Sequence, residues 1–320
     1  PASLPSANGL IKVISNRFDV VELMRAKGFD ATFSDFCFDD LEDIQYQFIF
    51  FRISKEKALA HYVINSAHKR LAQQGQLIIS GAKQEGIKGY IERAATLYNK
   101  RATVKADKQH WAAILEKSML SLQPLDDKDY TVLRPVSQLT DTVANFEFHS
   151  KPGVFGWDKI DMGSALLIDH LQKLSANLKQ PRNILDIGCG YGYLSVSSAR
   201  LFDAKVVACD NNAAAITACS HNLAKLSDQH ITLASNCTQG ISERFDLILC
   251  NPPFHTGFEI ENDLTDQFLK GASERLSSKG SALFVVNLHI PIERKAKSYF
   301  KHIHTISDNK HFKVIQLDNL

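Results

Sequence analysis

The chain carries a near-copy of part of itself. Ala67-His-Lys-Arg-Leu-Ala-Gln-Gln-Gly75 has the pattern of Ala272-Ser-Glu-Arg-Leu-Ser-Ser-Lys-Gly280, 205 residues further on, and each is followed by an apolar run of strand character. Residues 47–52 overlay 246–251 at an offset of 199, and His110-Trp111 overlays His311-Phe312 at 201. Three matches in one order favour a duplicated domain over chance likeness between generic helices. A chain of 320 residues has room for two such units, each with its own core. The growth of the offset from 199 to 205 puts extra residues just after Asn251, where a substrate loop would lie.

The first copy reads as strands at 10–15, 30–33, 47–53, 76–80, 102–106 and 110–115, with helices at 18–27, 55–73 and 85–98. An acidic loop (Asp35, Asp39, Asp40, Glu42, Asp43) lies among them. Alternation of this kind predicts a doubly wound α/β domain. This copy lacks chemistry: Arg52-Ile53-Ser54-Lys55 stands where the second copy has Asn251-Pro252-Pro253-Phe254, and no glycine triplet precedes it. It is expected to have kept its fold and to hold the other domain or grip RNA. Residues 83–108 carry seven Lys/Arg (Lys83, Lys88, Arg93, Lys100, Arg101, Lys105, Lys108) against three acids, a pattern that also fits a solvated face. The polar, breaker-containing stretch from Gln123 predicts a linker over 123–135 between domains at 1–122 and 136–320, with strand-like pieces at 130–133 and 145–149.

A net charge of +2 means that RNA contact must rest on local patches. The six cysteines include no Cys-x-x-Cys pair, which favours reduced packing thiols over a disulfide framework or a zinc site, so no metal is expected. No 18-residue apolar run occurs; no signal peptide and a soluble cytoplasmic protein away from membranes are expected.

The second copy holds the candidate site. Ile184-Leu-Asp186-Ile-Gly188-Cys-Gly190-Tyr-Gly192 reads as a strand, an acid, then alternating glycines opening a helix at 193–201. The glycines permit a tight turn and close approach of a ligand. Dinucleotide sites use Gly-x-Gly-x-x-Gly, whereas position 193 here is Tyr. Asp186 would repel a pyrophosphate but suits a cationic methionine moiety. Asp210, with Asn211 beside it, ends a strand and is placed for ribose hydroxyls. Asn236, after a strand at 231–234, suits an adenine amino edge or simply a turn. Downstream, an apolar strand ends in Asn251-Pro252-Pro253-Phe254. Two prolines end the ladder and make a rigid corner. There Asn251 Oδ1 and the Pro252 carbonyl can accept the two hydrogens of a planar amine, and Phe254 can stack on its π-face. His255 could touch the base or a phosphate. Lys295, Lys297, Lys301, Lys310 and Lys313 suit either a phosphate-binding face or a solvated one.

Together these residues resemble the class I S-adenosylmethionine-dependent methyltransferases over 140–320. The resemblance implies two tandem Rossmann-like domains with doubly wound sheets, the N-terminal copy degenerate, and a last strand at 312–317 inserted antiparallel. Asn251-Pro252-Pro253-Phe254 resembles the signature of enzymes that methylate amines conjugated to a π-system: adenine N6, guanine N2 or glutamine N5. Further features join it: the worn copy before an intact one, Gly153-Val154-Phe155 with Asp161, Gly163 and Ser164, and Phe312-Lys313-Val314. The whole is similar to the bacterial small-subunit (16S) rRNA guanine-N2 methyltransferases of C type. In many relatives a serine follows Gly-Val-Phe; here Gly156 does. The resemblance implies S-adenosyl-L-methionine as cofactor and a guanine of 16S rRNA, within the assembled small subunit, as substrate; a monomer without metal is expected.

The residues alone leave other amines open: guanine N2 of large-subunit (23S) rRNA, adenine N6 and protein glutamine N5. A nicotinamide-dependent oxidoreductase is disfavoured by the glycine spacing. A non-catalytic RNA-binding factor is disfavoured by the intact Asp186, Gly188, Gly190, Asp210 and Asn251.

Overall fold

The computed structural model describes residues 11–38, 44–119, 123–136, 146–175, 180–227, 229–253 and 258–319. Their packing separates two units: Phe36–Val132, and Pro1–Asp35 together with Leu133–Leu320.

The larger unit opens with β1 (Lys12–Ser15), α1 (Phe18–Ala26) and β2 (Asp30–Phe33), a parallel strand pair joined by a helix. Expected within a first domain of 1–122, these elements instead pack with the second copy. Phe18 N donates to Asn211 O at 2.9 Å, Ala213 N donates to Asn16 O at 2.9 Å, and Arg17 and Asn212 form an antiparallel bridge. Asp35, from the end of this segment, makes a buried ion pair with Lys151.

The smaller unit contains β3 (Tyr46–Arg52), α2 (Lys57–Arg70), β4 (Leu71–Ala82), α3 (Ile87–Ala94), β5 (Tyr98–Lys105) and β6 (His110–Lys117). Its sheet runs β3-β4-β6-β5, with β3 and β4 parallel and β6 antiparallel to both neighbours. Alternate residues point to one face: Phe51, Leu77, Ile79, Ala113 and Leu115 meet Leu59, Val63 and Ile64 of α2 and Ile87 and Ile91 of α3. Residues 123–132, expected as linker, lie on this unit as a strap. Leu125 N donates to Asn65 Oδ1 at 2.9 Å, Asn65 Nδ2 donates to Leu125 O at 2.8 Å, and Tyr130 is buried. Leu125 and Tyr130 pack on this unit's core, while Asn65 and His61 hold the strap's backbone.

The larger unit resumes with β7 (Arg134–Pro135), β8 (His149–Ser150), α4 (Met162–Ser175), β9 (Asn183–Ile187) and α5 (Tyr193–Phe202). It continues through β10 (Lys205–Asp210), α6 (Ala213–Ala224), β11 (Ile231–Ala234), β12 (Phe245–Cys250) and α7 (Phe258–Arg275). It ends with β13 (Leu276–Asn287), α8 (Ile292–Ala296), β14 (His302–Asp308) and β15 (Phe312–Asp318). Seven strands run β11-β10-β9-β12-β13-β15-β14, and β15 is antiparallel between β13 and β14, as expected. A sheet covered on both faces needs apolar side chains in both directions. Ile184, Val206, Leu247, Leu283 and Val314 face one core, while Leu185, Val207, Ile248, Phe284 and Ile315 face the other.

The two units share local detail as well as strand order. The β3–β4 pairing shifts register between Tyr46 and Phe48, and the β12–β13 pairing between Phe245 and Leu247. A Cβ on Gly75 would lie 2.9 Å from Tyr46 O, and one on Gly280 would lie 2.8 Å from Phe245 O, so the same bulge presses on the same glycine. Part of the extra length after Asn251 enters a helix: α7 has 18 residues and α2 has 14.

Candidate active site

The strand order fixes where a ligand can sit. The chain leaves β9 for β10 on one side and later returns with β12 on the other, opening a crevice at the carboxyl ends of these strands. Ile187 is in register with Cys209 and Cys250, so the segments from Gly188, Asp210 and Asn251 all emerge at this edge.

The glycine turn is held by backbone and by acid. Gly188 N and Cys189 N donate to Cys209 O at 2.8 and 3.0 Å, and Gly190 N donates to Asp210 Oδ2 at 3.0 Å. Gly190 has φ +55°, and among the described residues no atom beyond its chain neighbours lies within 4 Å of where its Cβ would be, so the backbone borders open space. Gly192 caps α5 with φ 90°.

Asp186 is fully buried and accepts from the Ser195 hydroxyl through Oδ2, while Oδ1 has no hydrogen-bond partner among the described residues. Burial is the main cause pushing its carboxyl up to about 7; the Ser195 bond opposes this and the Asp210 charge adds to it. An orphaned carboxylate oxygen beside an open glycine turn fits a cationic, amine-bearing ligand better than a phosphate. Asp210 Oδ1 accepts from Asn212 N at 2.8 Å. Burial raises the Asp210 carboxyl, against the N–H groups of Gly190, Asn212 and Asn211. Both Asp210 oxygens thus accept backbone N–H groups of the turn, and a carboxylate with about four lone-pair sites keeps capacity for a hydroxyl. Asn211 Oδ1 accepts from Asp19 N at 3.0 Å, and, against burial, its side chain joins Arg17 in holding the Asp19 carboxyl below its usual range, so Asn211 ties the N-terminal segment to this strand end. Asn236 sits in the turn after β11, half-buried, its carbonyl accepting from Gln239 N at 3.2 Å. Turn and ligand readings of Asn236 are therefore compatible.

At the adjoining strand end, Asn251 is half-buried, Pro252 buried and Pro253 exposed; Phe254 and His255 lie outside the described residues. Asn251 Nδ2 donates to Asp161 Oδ2 at 2.7 Å and to Ser164 Oγ at 2.8 Å. A carboxylate only accepts, so the nitrogen of the carboxamide must face Asp161 and Oδ1 faces elsewhere. Asp161 and Ser164 are missing from the residues that sequence reasoning placed in the site. Their signal in the sequence is the Asp161-x-Gly163-Ser164 pattern that joins the family resemblance; the Asp161 carboxylate also caps the start of α4, accepting from Ser164 N at 2.8 Å.

The cations proposed as phosphate contacts are partly committed. Lys100 pairs with Glu92 and Arg101 with Glu116, while Lys88 and Lys105 lie over the Trp111 ring at 4.4 and 5.8 Å. Lys295 pairs with Asp266 at 2.7 Å and Lys313 with Glu293 at 2.6 Å. The cysteines are free thiols, and burial raises those of Cys209 and Cys250.

Residues 145–316 match the family model described as methyltransferase small domain. The chain is 30% identical to the ribosomal RNA small subunit methyltransferase C of Shewanella pealeana over 287 residues, covering 88% of this chain and 77% of that one. It is 29% identical to the Shewanella loihica protein of the same name, over 81% of this chain and 73% of that one. Among solved structures, it is similar to the T. thermophilus 16S rRNA N2 G1207 methyltransferase (RsmC) in complex with AdoMet and guanosine. That likeness has a TM-score of 0.84 at 23% identity, over 97% of this chain and 82% of that one.

Proposed function

The chain belongs to the ribosomal RNA small subunit methyltransferase C family, and we propose that it transfers a methyl group from S-adenosyl-L-methionine to the exocyclic N2 of a guanine in 16S rRNA. The observation that carries this is the orientation of Asn251, whose nitrogen is engaged by Asp161 and Ser164 so that Oδ1 is left to accept from an amine. Asp186, Gly188, Gly190 and Gly192 would hold the methionine end of the cofactor, Asp210 and Asn211 the ribose, and Asn236 the adenine edge. When bound, the cofactor supplies an electrophilic methyl on a sulfonium.

The chain's own work is positioning and electrostatics. Guanine N2 is a poor nucleophile because its lone pair is delocalised into the ring. Hydrogen bonds from its two hydrogens to Asn251 Oδ1 and the Pro252 carbonyl draw the nitrogen towards an sp³ form and fix the direction of its lone pair. Pro253 stiffens the corner, and Phe254 offers a stack to a base extruded from its helix. The proton leaves the nitrogen after transfer, so no strong base is assigned. The reading extends to the assembled small subunit as substrate and to a monomeric, metal-free enzyme of the cytoplasm. The degenerate copy, which shares sheet order and bulge with the catalytic one, is read as the product of duplication. Asn251→Ala tests the central role: methyl transfer falls by about a hundredfold or more, with cofactor affinity within about twofold of the parent. Equal loss of both would contradict it.

A further inference from the structure

We propose that Asp161 and Ser164 are positioning residues that lock the Asn251 carboxamide with Oδ1 towards the acceptor amine before substrate arrives. The inference rests on the guanine-N2 reading above and deepens it. A carboxamide turned by half a rotation about its last bond presents NH2 where its oxygen was, and NH2 facing the hydrogens of an amine repels it. In a free asparagine the two states are close in energy.

Here the turn is blocked. Asp161 Oδ2 accepts from Asn251 Nδ2 at 2.7 Å, and Ser164 Oγ accepts from the same nitrogen at 2.8 Å, so two acceptors meet the two hydrogens. Turning the amide would set Oδ1 against a carboxylate oxygen with no hydrogen between them. Asp161 is itself fixed at the start of α4: its carboxylate accepts from Ser164 N at 2.8 Å and its carbonyl from Ala165 N at 2.9 Å. Ser164 is buried. Gly163 makes the approach possible, because a Cβ there would lie 3.1 Å from both Asp161 Oδ2 and Phe312 Cδ1. Each residue of this short stretch thus has a part: Asp161 and Ser164 accept, and Gly163 leaves room. The site is thereby preset for an acceptor atom that carries hydrogens and set against a carbonyl in the same place.

Three variants test the lock, with methyl transfer to small subunits, cofactor affinity and thermal midpoint measured on each. Asp161→Ser keeps a helix cap of equal quality but is too short to hold Asn251 as well. Its kcat falls about tenfold to a hundredfold, while KM for the subunit and cofactor Kd stay within about twofold. Ser164→Ala leaves the cap untouched and lowers kcat about threefold to tenfold. Asp161→Asn can seat its carboxamide oxygen where Oδ2 sits, and restores kcat to within about threefold of the parent. Parental kcat in both Asp161→Ser and Ser164→Ala overturns the lock, as does a loss that tracks the thermal midpoint in every variant. The unsubstituted enzyme, run beside them, separates the two readings. If it binds cofactor but makes no N2-methylguanosine, the guanine reading fails and the lock falls with it. If it turns over normally and the variants do too, only the lock fails.

Discussion

Gly192 stands so close to Cys219 that a Cβ on the glycine would lie 2.8 Å from the cysteine sulfur. With φ at 90°, the position is closed to a side chain by backbone and by space. Gly190 shares the left-handed backbone but faces open room. Gly192→Ala therefore destabilises the fold by about 2–3 kcal/mol in urea titration. Gly190→Ala costs about 1–2 kcal/mol from its backbone, yet weakens cofactor binding about tenfold or more, because its methyl enters the ligand's space. Equal stability loss with unchanged cofactor affinity in both variants would remove Gly190 from the site.

The carboxyl of Asp186, raised from 3.8 to about 7, makes a signed prediction. The folded chain binds this proton more tightly than the unfolded one. The contribution to stability is full below the unfolded value and is lost as pH rises through about 7. A cationic cofactor reverses the preference, so binding releases a proton and affinity climbs between about pH 5.5 and about pH 8. Calorimetry in two buffers of different ionisation enthalpy reads that proton directly. In Asp186→Asn the climb disappears; an unchanged climb would assign it elsewhere.

Lys151 and Asp35 join residues 133–320 to the N-terminal segment through a buried ion pair, their side chains 3% and 10% exposed. Asp35→Ala leaves a buried ammonium without that carboxylate and costs about 3–5 kcal/mol. Replacing both by apolar residues (Asp35→Leu with Lys151→Met) recovers most of the loss. Urea unfolding followed by tryptophan fluorescence measures both, and a fully stable Asp35→Ala would show that the pair carries no weight.

The catalytic half was legible because its signals are local. A strand followed by alternating glycines, or a strand stopped by Pro252 and Pro253, declares its geometry within a few residues. The matched stretches around Gly75 and Gly280 are legible for a related reason: each glycine lies under a carbonyl of the neighbouring strand's bulge, a constraint present in both units. What escaped was pairing at a distance. Phe18 bonds to Asn211 backbone to backbone, a pairing that leaves no pattern in the sequence, so residues 11–35 read as part of the other domain. The stretch after Gln123 looked like a connector, although Leu125 and Tyr130 anchor it against α2. Asp161 and Asn251 are 90 residues apart, and the Asp161-x-Gly163-Ser164 pattern marks a likeness without saying which distant amide its carboxylate meets.

The most direct test is transfer of labelled methyl from S-adenosylmethionine to small and large ribosomal subunits purified from a strain lacking this gene, followed by nucleoside analysis. The account predicts N2-methylguanosine in the small subunit alone. Label confined to the large subunit, or appearing as N6-methyladenosine or on protein glutamine, would contradict it.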